Sequence, residues 1–215
     1  VAVALYRHYG PDTVDMLRHD PYLLCGYPAY QDFRAADAIA GQLGLEYDSF
    51  ERVRAGLVHV LRHNLNNGHA CLPAAKLVPT VAQFLHVEPQ QVESALRQMC
   101  DDGDAVLFGE EEDAAVYLPE YYDAERCVAL ALRETMRLPP HGGKSAAAAI
   151  RRLEAVNGIR YAPLQKQAIE KALSENALVL TGGPGTGKTT AVNGMLAAFE
   201  ENGDRVALAA PTGRA

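Results

Sequence analysis

The sequence predicts a mixed fold, in which an α-helical module and a small α+β module precede the start of an α/β domain. Three observations predict this order. Residues 1–49 contain short helical patterns broken at Gly10-Pro11 and Asp20-Pro21. Residues 50–119 alternate helical patterns with short apolar runs. Residues 145–215 place a glycine-rich loop between an apolar run and a further helical pattern.

The composition is that of an ordinary globular protein, with 48% hydrophobic residues in a chain of 215 and a formal net charge of −7. The negative charge is concentrated in residues 1–119, where the Asp, Glu, Lys and Arg charges total −9. Because the chain has no broad basic region, any contact with DNA has to be local. No apolar run approaches the ~18 residues of a membrane span, so we expect no contact with a membrane.

The cysteines are widely separated and form no C-x-x-C pair; they are Cys25, Cys71, Cys100 and Cys127. This spacing is typical of reduced thiols rather than of a disulfide framework. It therefore predicts a cytoplasmic protein.

Residues 33–43 carry the clearest helical pattern of the first module. Pairs of short helices can bind DNA phosphates through a glycine hairpin between them. The hairpin would lie at Tyr30-Gln31-Asp32-Phe33, which contains no glycine. We therefore favour a packing role for residues 1–49 over DNA binding.

Residues 50–119 have the element order of a winged helix. Helices are predicted at 51–66, 73–85 and 88–102, and strands at 70–72, 105–108 and 115–118. In DNA-binding winged helices the third helix enters the major groove and the wing contacts the backbone. Here the wing carries four consecutive acids, Glu110 to Asp113, which repel phosphate. Docking to a protein partner is therefore favoured for this module.

A histidine group in the same module raises a metal-site hypothesis. His59 and His63 are four residues apart on one helix, and His69 and Cys71 follow shortly after. No acid or second cysteine completes the set at the usual spacing. Solvated or packing histidines are therefore favoured over a zinc site.

Residues 120–144 are expected to form a connecting helix and a linker. The amphipathic pattern continues to about residue 137, and Pro139-Pro140 and two following glycines end it. Beyond the linker, Ser145 is expected to cap a helix that extends to about Val156.

The strongest motif of the chain is G-x-x-x-x-G-K-[ST], which begins at Gly182 and ends with Lys188 and Thr189. The apolar run 177–180 before it is predicted to be a buried strand, and a helix is predicted to begin near Lys188. This context predicts a phosphate-binding loop, since glycines let backbone amides surround an anion at the N-terminus of a helix. The alternative is a glycine-rich turn that binds nothing. The predicted nucleotide-contacting loop residues are Gly182, Gly183, Pro184, Gly185, Thr186, Gly187, Lys188, Thr189 and Thr190.

Lys188 and Thr189 are the candidate catalytic residues of this loop. The ammonium group of Lys188 is expected to neutralise the β- and γ-phosphates of ATP. The hydroxyl of Thr189 is expected to ligate Mg²⁺.

Both ends of the sequence are expected to be interruptions of a longer chain. The first residue is Val1, inside a helical pattern, and the sequence stops shortly after the apolar run 206–209, which is predicted to be a second strand. Two parallel strands cannot bury both of their faces. We therefore expect the sequence to be a piece of a larger protein.

Three motifs follow one another in the last third of the chain: Tyr161-Ala162-Pro163-Leu164-Gln165, the phosphate loop, and Ala210-Pro211-Thr212-Gly213-Arg214-Ala215. Their order resembles the opening motifs of RecD-like superfamily 1 DNA helicases. Upstream segments such as Asp20-Pro21-Tyr22 and Val116-Tyr117-Leu118-Pro119 resemble the N-terminal domains of the same family. The resemblance thus covers nearly the whole chain.

The resemblance implies a RecA-like P-loop motor domain from residue 145 and an ATP-dependent DNA helicase of repair or recombination, working in the 5′ to 3′ direction. Gln165 would contact adenine, for which a side-chain amide has suitable paired hydrogen bonds. Single-stranded or duplex DNA would be the partner of the complete motor, and the implied DNA contacts are Pro211, Thr212, Gly213 and Arg214.

The sequence also departs from the family pattern. The family usually has a Gly-Ile-Gly-Phe hairpin at the position of Tyr30 to Phe33. The acidic metal-binding motif, the arginine that reaches the γ-phosphate and the second motor domain are absent from the 215 residues, so we expect nucleotide binding without turnover. Two alternatives remain: another P-loop NTPase, and a nucleotide-gated adaptor that docks partners through its winged helix.

Overall fold

Within residues 1–110, 114–139 and 146–210, which the computed structural model describes, the chain forms ten α-helices, two 3-10 helices and three short strands. The 3-10 helices are Gly10–Asp12 and Pro21–Cys25. The α-helices are α1 (Ala2–Tyr9), α2 (Thr13–His19), α3 (Phe33–Gln42), α4 (Phe50–Leu65), α5 (Ala74–Leu85), α6 (Pro89–Asp102), α7 (Pro119–Arg137), α8 (Ala146–Asn157), α9 (Pro163–Ser174) and α10 (Lys188–Asn202). The strands are β1 (Cys71–Pro73), β2 (Val106–Phe108) and β3 (Ala115–Tyr117).

The chain divides into two units, Val1–Arg126 and Cys127–Ala215. The core of the first unit is one continuous cluster that extends from Leu5 in α1 to Leu118 after β3. It crosses the predicted boundary between residues 49 and 50, so the separation of a helical module from a winged-helix module stays a prediction. All four cysteines are free. No helix in the described ranges is long and apolar enough to cross a membrane.

The first unit contains a three-stranded antiparallel sheet in the order β1-β3-β2. Val116 is opposite Leu72 on one side and Leu107 on the other, and its side chain is fully buried. Helices and strands follow one another as predicted for residues 50–119, with bounds shifted by one or two residues. Three of the four predicted wing acids, residues 111–113, lie outside the described residues.

The second unit is built mainly from helices α8, α9 and α10. Its core consists of side chains from all three helices and of Tyr161, which lies between α8 and α9; the helical members are Ala149, Ile150, Leu153, Ile169, Leu173 and Ala198. The predicted cap Ser145 and most of the predicted linker lie outside the described residues. The helix predicted to begin near Lys188 begins at that residue.

Two apolar runs do not form strands: residues 177–180, predicted to be a buried strand, and residues 206–209, predicted to be a second strand. Neither pairs with another segment of the described chain, and the side chains of Val179 and Leu208 are 86% and 75% exposed. Leu178 and Leu180 line a cleft beside α10, on the opposite side from Val179 in an extended segment. Apolar alternation makes a segment suitable for a sheet, but a strand forms only when a neighbouring backbone completes its hydrogen bonds. The strand predictions are therefore wrong for these residues.

An ion pair between the buried Arg52 and the half-buried Asp37 joins several elements of the first unit. The guanidinium of Arg52, which is 6% exposed, donates to both carboxylate oxygens of Asp37, from Nε at 2.8 Å and from Nη2 at 3.1 Å. Its Nη1 also donates to the carbonyl oxygens of Tyr47 and Leu85, at 2.8 and 3.1 Å. The hydroxyl of Tyr22 donates to Asp37 at 2.6 Å. One arginine therefore ties α4 to α3, to the segment before α4 and to the end of α5.

Burial tends to raise the pKa of Asp37, but the hydrogen bonds from Arg52 and Tyr22 outweigh it and hold that pKa below its ordinary value. A carboxyl group with a lowered pKa stabilises the fold above its unfolded pKa of about 3.9. This contribution is lost as the pH falls through the lowered value.

We predict that Arg52→Ala lowers the free energy of unfolding of the full chain by about 3–5 kcal/mol, because it leaves a partly buried carboxylate without its cation. Urea unfolding followed by circular dichroism measures the change. Arg18→Ala is the matched control: its pair with Asp15 is 66% and 76% exposed, and its loss is expected to cost less than about 1 kcal/mol. Equal effects of the two substitutions would contradict the central role of Arg52.

Candidate nucleotide site

The glycine-rich loop leads directly into α10. Gly187 is the N-cap of that helix and has φ of +79°, and Gly185 has φ of +75°. Both angles are in the left-handed region, where glycine avoids the steric cost of a side chain. Residues 181–186 are exposed, and α10 is 15 residues long. An exposed loop of this kind at the N-terminus of a helix is a ready site for an anion.

Lys188 closes the loop from the helix side. Its Nζ donates to the carbonyl oxygens of Gly182 and Gly183, each at 2.6 Å. The hydroxyl of Thr186 donates to the same Gly183 carbonyl at 2.9 Å. The loop thus folds around the ammonium group of its own lysine, which lies close to the backbone that an anion would approach.

Gln165 connects α9 to this loop. Its Oε1 accepts a hydrogen bond from the amide of Ala162 at 2.9 Å, and its Nε2 donates to the carbonyl oxygen of Gly187 at 3.3 Å. A Cβ on Gly187 would collide with Nε2 of Gln165. Gly187 is therefore required both by its backbone angle and by the approach of the glutamine.

Helices α9 and α10 are in close contact behind the loop. Gly194 lies on the buried face of α10 together with Ala191 and Ala198. A Cβ built on Gly194 would be 2.6 Å from Cδ1 of Ile169 and 2.9 Å from the hydroxyl oxygen of Tyr161. The small residues of α10 thus allow α9 to approach closely enough for Gln165 to reach Gly187.

An ion pair fixes the start of α9. Nζ of Lys166 lies 2.8 Å from Oε1 of Glu154 in α8, and the same oxygen accepts a hydrogen bond from the amide of Tyr161 at 2.9 Å. The hydrogen bonds from Lys166 and from the Tyr161 amide lower the pKa of Glu154. Since Lys166 follows Gln165, this pair orients the turn that carries the glutamine.

The structure brings together Gln165, Gly187, Lys188 and the carbonyls of Gly182 and Gly183. Pro184, Thr189 and Thr190 are exposed on the loop and on the first turn of α10. The implied DNA contacts Pro211 to Arg214 lie outside the described residues. Ligand contacts of all these residues stay predictions.

Of the predicted histidine group, His59 takes part in packing, while His63 and His69 are exposed. The ring of His59 stacks on Phe84 with centroids 5.3 Å apart and lies 5.5 Å from the ring of Phe33. Burial lowers the pKa of His59 and favours its neutral form. No group of three or more potential metal ligands occurs in the described ranges.

The segment at the position of the family's glycine hairpin, residues 30–33, follows a turn at residues 26–29 and leads into α3. Tyr30 has φ of +46°, an angle that non-glycine residues seldom adopt. The amides of Ala29 and Tyr30 donate to the carbonyl oxygen of Gly26, and the amide of Gln31 donates to that of Leu24. These three amides are therefore already hydrogen-bonded within the protein.

Comparison with known proteins gives matches at both ends of the chain. Residues 1–71 match the family model described as the ATP-dependent RecD2 DNA helicase HHH domain, and residues 165–215 match an AAA domain model. The chain is 29% identical over 219 residues to the ATP-dependent RecD2 DNA helicase of Deinococcus radiodurans, an alignment that covers 97% of this chain. The chain resembles the N-terminal portion of RecD-like helicases.

A second set of RecD-like relatives matches a shorter stretch more closely. The RecBCD enzyme subunit RecD of Mycobacterium tuberculosis is 53% identical over 58 residues, and that of Mycolicibacterium smegmatis is 52% identical over 58 residues. These alignments cover 24% of this chain and 10% of each relative. The chain spans 30% of the length of the Deinococcus protein.

The sequence motifs pointed to the RecD-like loop and to Gln165, but the contacts between α9 and α10 were not foreseen. The available signal was the spacing of small residues along α10: Gly187, Ala191, Gly194 and Ala198 recur at helical intervals. Such spacing indicates a close helix contact without identifying the partner helix. Tyr161 and Ile169, which fill that contact, were visible only as part of the Gln165 motif.

Proposed function

We propose that the chain is the front portion of an ATP-dependent DNA helicase and that its glycine-rich loop, with Gln165, holds the nucleotide. The observation that carries this proposal is the arrangement of Gln165, Gly187 and Lys188 around one loop at the start of α10. The similarity to RecD2 and RecD proteins supports the DNA-dependent part of the proposal.

The residues of the loop fit a nucleoside triphosphate. Glycines at 185 and 187 adopt the angles that let backbone amides surround phosphate oxygens. Lys188 already lies against the loop, held by two neutral carbonyl oxygens, and phosphate oxygens attract its ammonium group more strongly. The exposed hydroxyl of Thr189, on the first turn of α10, is suited to ligate Mg²⁺. Bound ATP supplies the free energy of phosphoryl transfer.

Gln165 can contact adenine while it remains attached to the loop. A side-chain amide has two hydrogens on nitrogen and two lone pairs on oxygen, and the structure uses one of each, on Gly187 and on Ala162. The remaining hydrogen and lone pair suit the paired donor and acceptor of an adenine edge. Guanine presents a different pattern, so Gln165 would favour ATP over GTP.

The finer assignments extend this proposal. We assign a RecA-like motor domain to the region from residue 145, a winged helix to residues 50–119 and 5′ to 3′ movement to the complete helicase. The three-stranded sheet with its preceding helices supports the winged helix. Pro211, Thr212, Gly213 and Arg214 would lie near the single strand, and the protein would act in the cytoplasm.

The first unit would position DNA or partner proteins rather than bind DNA tightly itself. Its residues 1–119 carry a charge of −9. The amides of Ala29, Tyr30 and Gln31, which could otherwise contact a phosphate, are hydrogen-bonded to carbonyl oxygens of the same segment. Non-specific binding normally requires several Lys or Arg contacts to phosphates.

For the nucleotide site, we predict that the 215-residue chain binds ATP and ADP and that Lys188→Ala weakens binding by about 10- to 100-fold, since charge-assisted hydrogen bonds contribute about 1.5–3 kcal/mol. Titration calorimetry measures both affinities. Lys171→Ala, which removes an equal charge from the exposed end of α9, is expected to leave them unchanged. Equal affinities of wild type and Lys188→Ala would exclude the loop as the site.

For the first unit, we predict that removing its exposed cations near the turn, in Arg34→Ala/Arg62→Ala, leaves single-stranded DNA binding unchanged. Fluorescence anisotropy at several salt concentrations measures the affinity and its salt dependence. Arg214→Ala, at an implied DNA contact, is the positive control and should weaken binding. A fall of the salt slope by about 0.7 per arginine in the double variant would show that the first unit binds phosphates directly.

A further inference from the structure

We propose that Gly194 is a positioning residue of the nucleotide site: the close approach that it allows between α9 and α10 holds Gln165 against Gly187 and so sets the selectivity for adenine. This inference rests on the proposed function. Gly194 lies seven residues beyond Gly187 and belongs to the helix rather than to the loop. It acts through Ile169 and Gln165.

The contact at Gly194 has no room for a side chain. A Cβ there would be 2.6 Å from Cδ1 of Ile169, 2.9 Å from the hydroxyl oxygen of Tyr161 and 3.1 Å from its Cζ. Ordinary contacts between carbon atoms are about 3.5–4.0 Å. Ile169 is 0% exposed and Tyr161 is 6% exposed, so neither side chain has free solvent into which it can turn. An added methyl group would therefore move α9 away from α10 by about 1 Å.

That displacement would reach the glutamine. Gln165 and Ile169 are four residues apart and lie on one face of α9, and Gly194 is about two helical turns beyond Gly187, the N-cap of α10. The distance from Nε2 of Gln165 to the carbonyl oxygen of Gly187 is 3.3 Å, near the upper limit for a hydrogen bond. A separation of about 1 Å more breaks this bond. Gln165 would then be free of the loop that holds the phosphates.

The phosphate-holding part of the site does not depend on the same contact. Lys188 is held by the carbonyls of Gly182 and Gly183, and Thr186 donates to Gly183, so these bonds lie within the loop. The Gly194 contact involves α9 and the segment before it. Moving α9 away from α10 should therefore remove the preference for adenine and leave the affinity for phosphates unchanged.

The test compares the dissociation constants of ATP, GTP and inorganic tripolyphosphate for the full 215-residue chain. Wild type is expected to bind ATP about 5- to 100-fold more tightly than GTP, the range for a bidentate base contact. In Gly194→Ala the ATP to GTP ratio should approach one, while tripolyphosphate affinity changes by less than about 2-fold. Asn193→Ala, at the exposed neighbouring position of α10, is the matched control and should keep the wild-type ratio.

Rescue variants identify the contact itself. Ile169→Val deletes the Cδ1 atom and Tyr161→Phe deletes the hydroxyl that the new methyl group would meet. Added to Gly194→Ala, the two substitutions should restore the preference for ATP. If Gly194→Ala alone does not fold, Gly194→Ala/Ile169→Val, which keeps the close approach of the new methyl group to the Tyr161 hydroxyl, should have a lower ATP to GTP ratio than wild type and keep the tripolyphosphate affinity.

The outcomes separate this inference from the proposed function. A wild-type chain that binds neither nucleotide nor tripolyphosphate contradicts the proposed function itself. A wild-type chain that binds ATP and GTP equally, or a Gly194→Ala chain that keeps the preference for ATP, overturns the role of Gly194. An equal loss of ATP and tripolyphosphate affinity in Gly194→Ala, or a failed rescue, shows general damage to the fold and also overturns it.

Discussion

The second unit depends on the close contact of two helices. Tyr161 and Ile169 occupy the space beside Gly194, and no side chain fits between them and α10. Because α10 begins at Lys188, directly after the loop, the position of α10 also fixes the end of the loop. Because Gln165 is on the first turn of α9, the position of α9 fixes the glutamine. The helix contact therefore determines where a base would be held, while the hydrogen bonds of Thr186 and Lys188 shape the phosphate-holding loop from within.

The first unit is stabilised by a different kind of contact. A single buried arginine, Arg52, is hydrogen-bonded to one carboxylate and two backbone carbonyls from separate elements. Its cost of desolvation is offset because each of its three nitrogen atoms has a hydrogen-bond partner. Residues 1–119 carry a net charge of −9, and the amides of Ala29, Tyr30 and Gln31 are already hydrogen-bonded to carbonyl oxygens of the protein. These features suit a rigid positioning element better than a DNA-binding one.

Elements whose structure depends on a pattern within one segment could be predicted from the sequence. The helices from α4 to α6 and the strands of the first sheet have local periodicity, caps and turns, and their predicted bounds differ from the structure by one or two residues. The loop was predictable because its glycines and Lys188 form a fixed spacing. The conformation of residues 177–180 was not predictable. Their apolar character indicates a strand, but a strand also requires a hydrogen-bonded neighbour, and the described chain does not provide one. The contact at Gly194 was missed for a related reason, because it depends on three segments at once.

The proposed helicase couples ATP hydrolysis at the nucleotide site to activity on DNA. Measurement of ATP turnover tests this coupling most directly. Steady-state hydrolysis is measured with and without single-stranded DNA for the 215-residue chain and for a longer protein that contains it. DNA should stimulate the longer protein, and Lys188→Ala should abolish its turnover. The 215 residues alone should be slower by about 10³-fold or more, which is the effect of an arginine that offsets charge on the γ-phosphate and that, under this proposal, the longer protein would supply. Turnover in the short chain equal to that of the longer protein, or no response of the longer protein to DNA, would contradict the account.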